Sequence, residues 1–282
     1  MELLRALGVL CEPPGPQHAR IAAALELPVP SAADHTGLLV LQLVPYASVH
    51  LGAEGMLGGE AGDRVAGFWR VLGLTPPAEP DHLAALLGLY AALAADEHAA
   101  ARGARAALLH EHLLSWLDPW LAKLAEIAPP AYAAWGELLA ATLRAEAAGT
   151  LEGDEPLPAA LRVVAPLEPP ERAGGPAFLD ALLAPARAGF VLTRADLARA
   201  ARELGLGGRV AERRYALRNL LGQDPAGTLG WLEGEAARAA RRPAAVAGTA
   251  TAAYWSERAA ATAAALAAAR AAAIESEVTH AG

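Results

Sequence analysis

The chain has 282 residues, enough for one large domain or two small ones with a sizeable buried core. Its formal net charge of −8 argues against non-specific binding to nucleic acid and permits attraction to a basic partner. A single cysteine, Cys11, excludes an intrachain disulfide bond and favours a reducing compartment.

The composition favours helices throughout. Ala, Leu, Glu and Arg are strong helix formers and are abundant, whereas the residue types that favour strands are scarce. The chain start carries charges at Glu2 and Arg5 and lacks a proper apolar stretch, so it is a poor signal peptide. Because no run of about 18 uncharged apolar residues occurs, we expect no membrane span. These features predict an all-α, cytoplasmic protein.

In chain order, the first half reads as a series of helices that are separated by proline and glycine. The helical regions predicted from this pattern are 1–30, 35–74, 81–95, about 98–125 and 130–147. Pro129 and Pro130 separate the last two of them. We therefore assign residues 1–148 to one helical core.

The second half begins with a change of composition. Residues 149–176 are rich in Pro, Gly and Glu without a sustained period, which predicts a linker or long loop. The rest, 177–282, is a predicted helical extension that packs on the core. Its clearest local signals are a capping pair, Thr193 with Asp196, and a helix stop at Gly205. Within the extension, helices are predicted from about Gly208 to Leu221 and from about Thr251 to Ile274.

Catalytic motifs are missing from the sequence. The only lysine, Lys123, does not follow a glycine, so a phosphate-binding P-loop is excluded, and no serine lies in a G-x-S-x-G elbow. The segment "HEHLLSW" (110–116) begins like a zinc-protease helix, but Leu114 stands where the second histidine belongs. His110 and His112 are two residues apart and point to different sides of a helix. We expect no enzyme activity, no metal and no cofactor.

The segment "EPDHLAALLGLYAAL" (79–93) combines a polar turn with an apolar helix face. Glu79, Asp81 and His82 stand at the first turn of that predicted helix. Carboxylates at a helix N-terminus complement the helix dipole, so the three residues could be a structural cap. They could equally form a small polar binding site beside a leucine-lined helix.

The helix that contains "HEHLLSW" presents one apolar face. The residues on it, at helical spacing, are Leu109, His112, Leu113, Trp116 and Trp120. One interpretation is a core face that includes a single satisfied histidine. The other is that His112 and Trp116 meet the first turn of the 81–95 helix and form a polar pocket with it.

A cluster of arginines offers a different function. Arg209, Arg213, Arg214 and Arg218 make the predicted 208–221 helix basic, and a glycine turn precedes it, as in a helix-turn-helix protein. The acidic chain and its few aromatic residues argue against contacts with DNA. A solvated helix face is the simpler interpretation.

Three segments together resemble a known family. "LVPYASVHL" (43–51), "EPDHLAALLGLYAAL" (79–93) and "LLHEHLLSWLDPWLAKL" (108–124) occur in this order. The set resembles the TorD/DmsD/NarJ family of redox-enzyme maturation chaperones, with its Pro-x-x-Ser segment, E-x-D-H turn and H-L-x-x-W helix. The resemblance covers roughly residues 35–145. It implies an all-α, TorD-like helical bundle, here with a C-terminal helical extension like that of the longer variants.

The resemblance also implies a function and a site. Such chaperones bind the twin-arginine signal peptide of a molybdenum or tungsten oxidoreductase catalytic subunit until its molybdopterin cofactor is inserted. By position, the residues implied to bind the peptide are Glu79, Asp81, His82, Tyr46, Ser48 and Leu51. His112 and Trp116 are implied to support the turn from behind.

The residues themselves are compatible with that role. Arginine pairs bidentately with carboxylate, and an amphipathic segment docks by its apolar face, so Glu79 and Asp81 beside a leucine-lined helix suit such a peptide. Two alternatives remain open, namely a helical scaffold or adaptor unrelated to export and a helix-turn-helix DNA-binding regulator.

Overall fold

The computed structural model describes residues 2–52, 55–96, 98–207, 212–246 and 249–281, and these residues are mostly helical. No strand occurs among them, and the only extended pairing is one isolated antiparallel bridge between Tyr46 and His82. The predicted all-α fold is confirmed. None of the helices in these ranges is both long and apolar enough to cross a membrane.

The chain divides into two compact units. The first consists of Met1–Gly52, Met56–Val163 and Ala244–Ala252. Its helices are α1 (Glu2–Leu10), α2 (Pro16–Ala24), α3 (Ala32–His35), α4 (Ala47–Leu51), α5 (Gly59–Val71), α6 (Leu83–Ala94), α7 (Ala99–Ala107), α8 (Ser115–Ile127), α9 (Pro130–Thr150) and α10 (Ala159–Arg162). Two π-helical stretches, Thr36–Val40 and Leu108–Leu114, complete it.

The core of the first unit is built on α6 and on a series of indole rings. The predicted apolar face of α6 is buried, with Leu83, Leu86, Leu87 and Tyr90 all at 0% exposure, and α1 packs along this helix. Trp116, Trp120 and Trp135 follow one another edge to face, with centroids about 6 Å apart. Trp135 Nε1 donates to the Leu7 carbonyl at 3.0 Å, which fastens α9 to α1.

The helix predicted at about 98–125 is present as α7, the π-helical stretch Leu108–Leu114 and α8 in direct succession. Pro119 lies inside α8. The neighbouring Asp118 is buried and accepts hydrogen bonds from the backbone amides of Ala245 and Val246 at 2.8 and 2.7 Å. This carboxylate therefore fixes a segment from late in the chain within the first unit.

The second unit consists of Ala53–Gly55, Val164–Pro243 and Ala253–Gly282. Its helices are α11 (Pro170–Ala173), α12 (Gly175–Leu183), α13 (Pro185–Ala188), α14 (Arg194–Glu203), α15 (Arg213–Gln223), α16 (Pro225–Ala240) and the part of α17 (Thr249–Ala281) from Ala253 onward. The predicted capping pair is confirmed, because Thr193 and Asp196 form a reciprocal capping box at α14.

The structure adds detail to the second half of the chain. The segment 149–176, expected to be a linker or long loop, contains α10 and α11, which have four residues each. The helix expected at 208–221 is described from Arg213, and its predicted start at 208–211 lies outside the described residues. The sequence pattern missed α16 altogether, although Asp224 caps it by accepting from the Gly227 amide at 2.7 Å.

Candidate functional site

The polar turn before α6 forms one wall of an open pocket of about 570 Å³ in the first unit. The turn contributes the six consecutive residues 76–81, and α5 contributes the facing wall. Tyr46 and Leu57 complete the main lining together with the α5 residues Gly62, Asp63, Ala66 and Arg70. The pocket thus combines three carboxylates and one guanidinium with small and apolar side chains.

Prolines and one indole shape the turn. Pro76, Pro77 and Pro80 restrict φ over this short segment and withhold three backbone donors from helix formation. Trp69 on α5 donates its Nε1 hydrogen to the Pro80 carbonyl at 3.2 Å. This hydrogen bond therefore connects the α5 wall of the pocket to the turn at Pro80.

Asp81 is the most buried charged residue of the turn, with 6% of its surface exposed. Its Oδ2 accepts the Ser48 amide at 2.9 Å, and its backbone carbonyl accepts the Ala47 amide at 3.1 Å, so it caps the start of α4. The other oxygen, Oδ1, makes no hydrogen bond within the described ranges, and Asp81 lines the pocket. One oxygen of this carboxylate is thus used for folding, and the other has no hydrogen-bond partner within the described ranges.

Glu79 and Tyr46 form a second polar element of the wall. Burial raises the pKa of the Tyr46 phenol, and the neighbouring Glu79 carboxylate raises it further. The phenol therefore stays protonated at neutral pH. Glu79 itself is exposed, so its carboxylate remains open to solvent and to the pocket.

His82 is the N-cap of α6. Its Nδ1 accepts the Ala84 amide at 3.2 Å, and its ring meets the Tyr46 ring edge to face at a centroid distance of 4.8 Å. Burial lowers the pKa of this imidazole, although the carboxylates of Glu79, Glu12 and Asp81 act in the opposite direction. A neutral imidazole is what the cap requires, since a protonated Nδ1 could not accept. The helix is therefore capped by the histidine rather than by either carboxylate.

The other predicted binding residues, Ser48 and Leu51, do not line the pocket. Ser48 is fully buried, and its hydroxyl accepts the Gly58 amide at 3.0 Å, which connects α4 to the start of α5. Leu51 is 6% exposed and belongs to the core. Of the six residues predicted to bind the peptide, Tyr46, Glu79 and Asp81 line the pocket, whereas Ser48, Leu51 and His82 do not.

His112 and Trp116 support the two helices behind the pocket. The His112 ring packs against Phe68 of α5 at 4.7 Å, and the Trp116 ring stacks on His50 of α4 at 5.2 Å. Burial lowers the pKa of His112 to about 4, with a smaller contribution from the Arg64 cation. These rings do not line the pocket, so their link to the acidic turn runs through α4 and α5.

Sequence reasoning missed the α5 wall. Gly62, Ala66 and Arg70 recur every four residues and therefore share one helix face, beside Asp63. The signal was present in "GEAGDRVAGFWR" (59–70), whose small residues leave a shallow face, but no polar cluster distinguished it.

The remaining motifs have structural partners. His110 Nε2 contacts the Pro156 carbonyl at 2.8 Å, on a different side from His112. Arg213 donates to the Leu192 carbonyl at 3.0 Å, and Arg214 forms an ion pair with Asp180 at 2.8 Å, while Arg209 lies outside the described residues. Within the part of the chain that the structure describes, no group of three residues could hold a metal ion.

Residues 20–122, somewhat more than a third of the chain, match the family model described as nitrate reductase delta subunit. This is the NarJ/TorD-type family of redox-enzyme maturation chaperones, so the resemblance inferred from the three sequence segments is confirmed. The matched stretch contains α5, the polar turn and every predicted site residue. No curated protein and no solved structure matches the chain.

Proposed function

We propose that this protein is a cytoplasmic maturation chaperone without catalytic activity. Its pocket would bind the twin-arginine signal peptide of a molybdenum or tungsten oxidoreductase catalytic subunit and hold the apo-subunit until cofactor insertion. The family match supports the general role, because the family consists of redox-enzyme maturation chaperones. The choice of a peptide with two arginines rests on the chemistry of the pocket.

The observation that carries the proposal is the carboxylate of Asp81. Asp81 lines the pocket and its Oδ1 makes no hydrogen bond within the described ranges, so a hydrogen-bonding cation in the pocket can reach that oxygen. A guanidinium has five donors in a planar fork and binds carboxylates through two parallel hydrogen bonds. Glu79 stands two residues away on the same wall and offers a second carboxylate.

The apolar part of such a peptide also has a suitable surface. Met56 and Leu57 are 62% and 60% exposed, and Leu57 lines the pocket. Exposed large apolar side chains at the edge of a polar pocket are typical of surfaces that dock an amphipathic segment. The pocket therefore offers acidic groups for the arginines and apolar side chains for the residues that follow them.

The test is isothermal titration with two synthetic peptides. The first carries two adjacent arginines followed by an apolar segment, and the second has both arginines replaced by neutral citrulline. We expect the wild-type protein to bind the first peptide and to bind the second at least tenfold more weakly. Equal affinity for both peptides, or binding of neither, would contradict the proposal.

The matched variants are Asp81→Asn and Asp196→Asn. Asparagine at position 81 keeps an oxygen that can accept the Ser48 amide, so the start of α4 survives while the charge is lost. Loss of a charge-assisted hydrogen bond should weaken binding of the arginine peptide by about 1.5–3 kcal/mol, or roughly ten- to a hundredfold. Asp196→Asn makes the same chemical change at a carboxylate that does not line the pocket and should leave the affinity unchanged.

A further inference from the structure

The charges on α5 divide the pocket into two different ends. A Cβ atom added at Gly62 would lie 3.9 Å from the Ser48 Cβ, and Ser48 is the residue whose amide Asp81 holds. The side of α5 that carries Gly62 and its neighbour Asp63 is therefore the side near Asp81. Asp63 and Asp81 both line the pocket there.

The other end of α5 carries the one positive charge among the described residues of the lining. Arg70 also lines the pocket, and its neighbour Trp69 donates to the carbonyl of Pro80, the residue before Asp81. Asp63 and Arg70 are seven residues apart, which corresponds to two turns and roughly 10 Å along the axis of α5. One helix face thus presents an acidic end and a basic end to the same pocket.

Of the two charged residues of α5 that line the pocket, Arg70 lies in the last turn, where a cation complements the helix dipole, whereas Asp63 has no such place in the fold. Asp63 and Arg70 form no ion pair with another residue of the described ranges. Asp63 also lies beyond the first turn of a helix that begins at Gly59, where the helix dipole no longer stabilises a carboxylate strongly. The one acidic residue of that first turn is Glu60, which does not line the pocket.

We propose that Asp63 is a specificity-determining residue that binds, together with Asp81, one guanidinium of the arginine pair. Arg70, two turns along α5 from Asp63, repels the arginine pair from its own end of that helix. This inference rests on the proposed function, since it assigns the place of the arginines within the same site. A guanidinium between two carboxylates uses donors on two edges of its plane, which lysine cannot match.

The experiment is a double-mutant cycle by isothermal titration on the full chain. The protein is wild type, Asp63→Asn or Glu60→Gln, and the peptides carry both arginines, citrulline at the first arginine, or citrulline at the second. Glu60→Gln is the matched control, because it removes a charge from the same helix outside the pocket. Thermal melts of all variants verify the fold.

We expect Asp63→Asn to weaken binding of the two-arginine peptide about tenfold, whereas Glu60→Gln changes it less than about twofold. With one of the two citrulline peptides, the difference between Asp63→Asn and wild type should disappear, which identifies the arginine that Asp63 binds. Arg70→Gln should strengthen binding of the two-arginine peptide by about two- to fivefold through loss of like-charge repulsion.

Two results would contradict this inference. If Asp63→Asn behaves like Glu60→Gln with every peptide while the wild type still prefers the two-arginine peptide, Asp63 is not part of the site and the proposed function stands. If the wild type shows no preference for the two-arginine peptide, both the inference and the proposed function are overturned.

Discussion

The polar turns at the starts of α6 and α14 each contain an aspartate, and the two carboxylates are used differently. At α14, Thr193 donates its amide and its hydroxyl to Asp196 Oδ2, both at 2.8 Å, and Arg199 donates to Oδ1 at 3.1 Å. At α6, Asp81 accepts from the Ser48 amide of another helix and keeps its second oxygen at a pocket. Both oxygens of Asp196 accept hydrogen bonds from residues of its own helix start, whereas Oδ1 of Asp81 has no hydrogen-bond partner within the described ranges.

The difference arises from the residue that caps the helix. Thr193 and Asp196 cap α14 reciprocally, so both are required there. At α6 the cap is His82, which leaves Glu79 and Asp81 free of that task. A polar turn at a helix start is thus a candidate binding site when its carboxylates are not the groups that cap the helix.

The largest loss of stability should come from substitutions that open a cavity in the core next to either turn. Leu83 is 0% exposed and follows the His82 cap, and Leu197 is 2% exposed and follows Asp196. Leu83→Ala and Leu197→Ala should each lower the free energy of unfolding by about 2–5 kcal/mol, because each leaves a cavity in a packed core. Urea unfolding followed by circular dichroism measures the change.

Val71→Ala provides the control, because Val71 is 85% exposed and should change the stability by less than about 0.5 kcal/mol. A cost below about 1 kcal/mol for either leucine variant would show that the helix start above it is not fixed by core packing.

The stability of the two units should respond differently to acid. All histidines except His280 lie in the first unit. Burial lowers the pKa of His112 to about 4, whereas the unfolded chain binds this proton near the ordinary value of 6.5. Between these values the unfolded state holds more protons, so the free energy of unfolding falls as the pH drops from 6.5 to 4. The full loss from this one group is roughly 3 kcal/mol.

Urea unfolding at a series of pH values measures this slope in the wild type and in His112→Gln. The variant should be less stable at pH 7, because it loses the packing of the ring against Phe68, and should show a shallower pH dependence. An unchanged slope in His112→Gln would assign the acid sensitivity to another group, of which His82 is the first candidate because burial lowers its pKa too.

The turn at the start of α14 should matter for stability and not for binding. Asp196→Ala leaves the Thr193 amide and the Arg199 guanidinium without the acceptor that they share. We expect a loss of about 1–3 kcal/mol in the free energy of unfolding. The affinity for the two-arginine peptide should equal that of the wild type, as measured by isothermal titration below the melting temperature of the variant. A weaker affinity would contradict the interpretation that the carboxylate of Asp196 serves only the fold, in contrast to that of Asp81.

The sequence predicted the helices well because their signals are local. The apolar period of α6, the capping pair at Thr193 and Asp196, and the breaks at Pro129 and Pro130 depend on neighbours within one or two turns. Helix α16 was missed because its segment contains three glycines and shows a weak apolar period.

The site could be predicted only in part. The polar turn was visible because Glu79, Asp81 and His82 cluster in four residues of sequence. The α5 wall was not, because it depends on a tertiary arrangement in which Ser48 connects Asp81 to the start of α5. The roles of His82 and of His112 also required the structure, since an imidazole that caps a helix and one that packs against Phe68 look alike in sequence.

The smallest effect should come from His82, and it separates a capping role from a binding role. His82→Ala removes the acceptor for the Ala84 amide and should lower the free energy of unfolding by about 0.5–2 kcal/mol. His82→Asn should recover most of that loss, because asparagine is among the best N-cap residues. Since His82 does not line the pocket, we expect it to act on the peptide only by positioning the turn, so His82→Asn should bind the two-arginine peptide within about twofold of the wild type. Thermal melts and titrations of the three proteins measure both effects. If His82→Asn melts like the wild type but loses affinity tenfold, the imidazole itself contacts the peptide, and the turn at the start of α6 provides a histidine as well as carboxylates to its ligand.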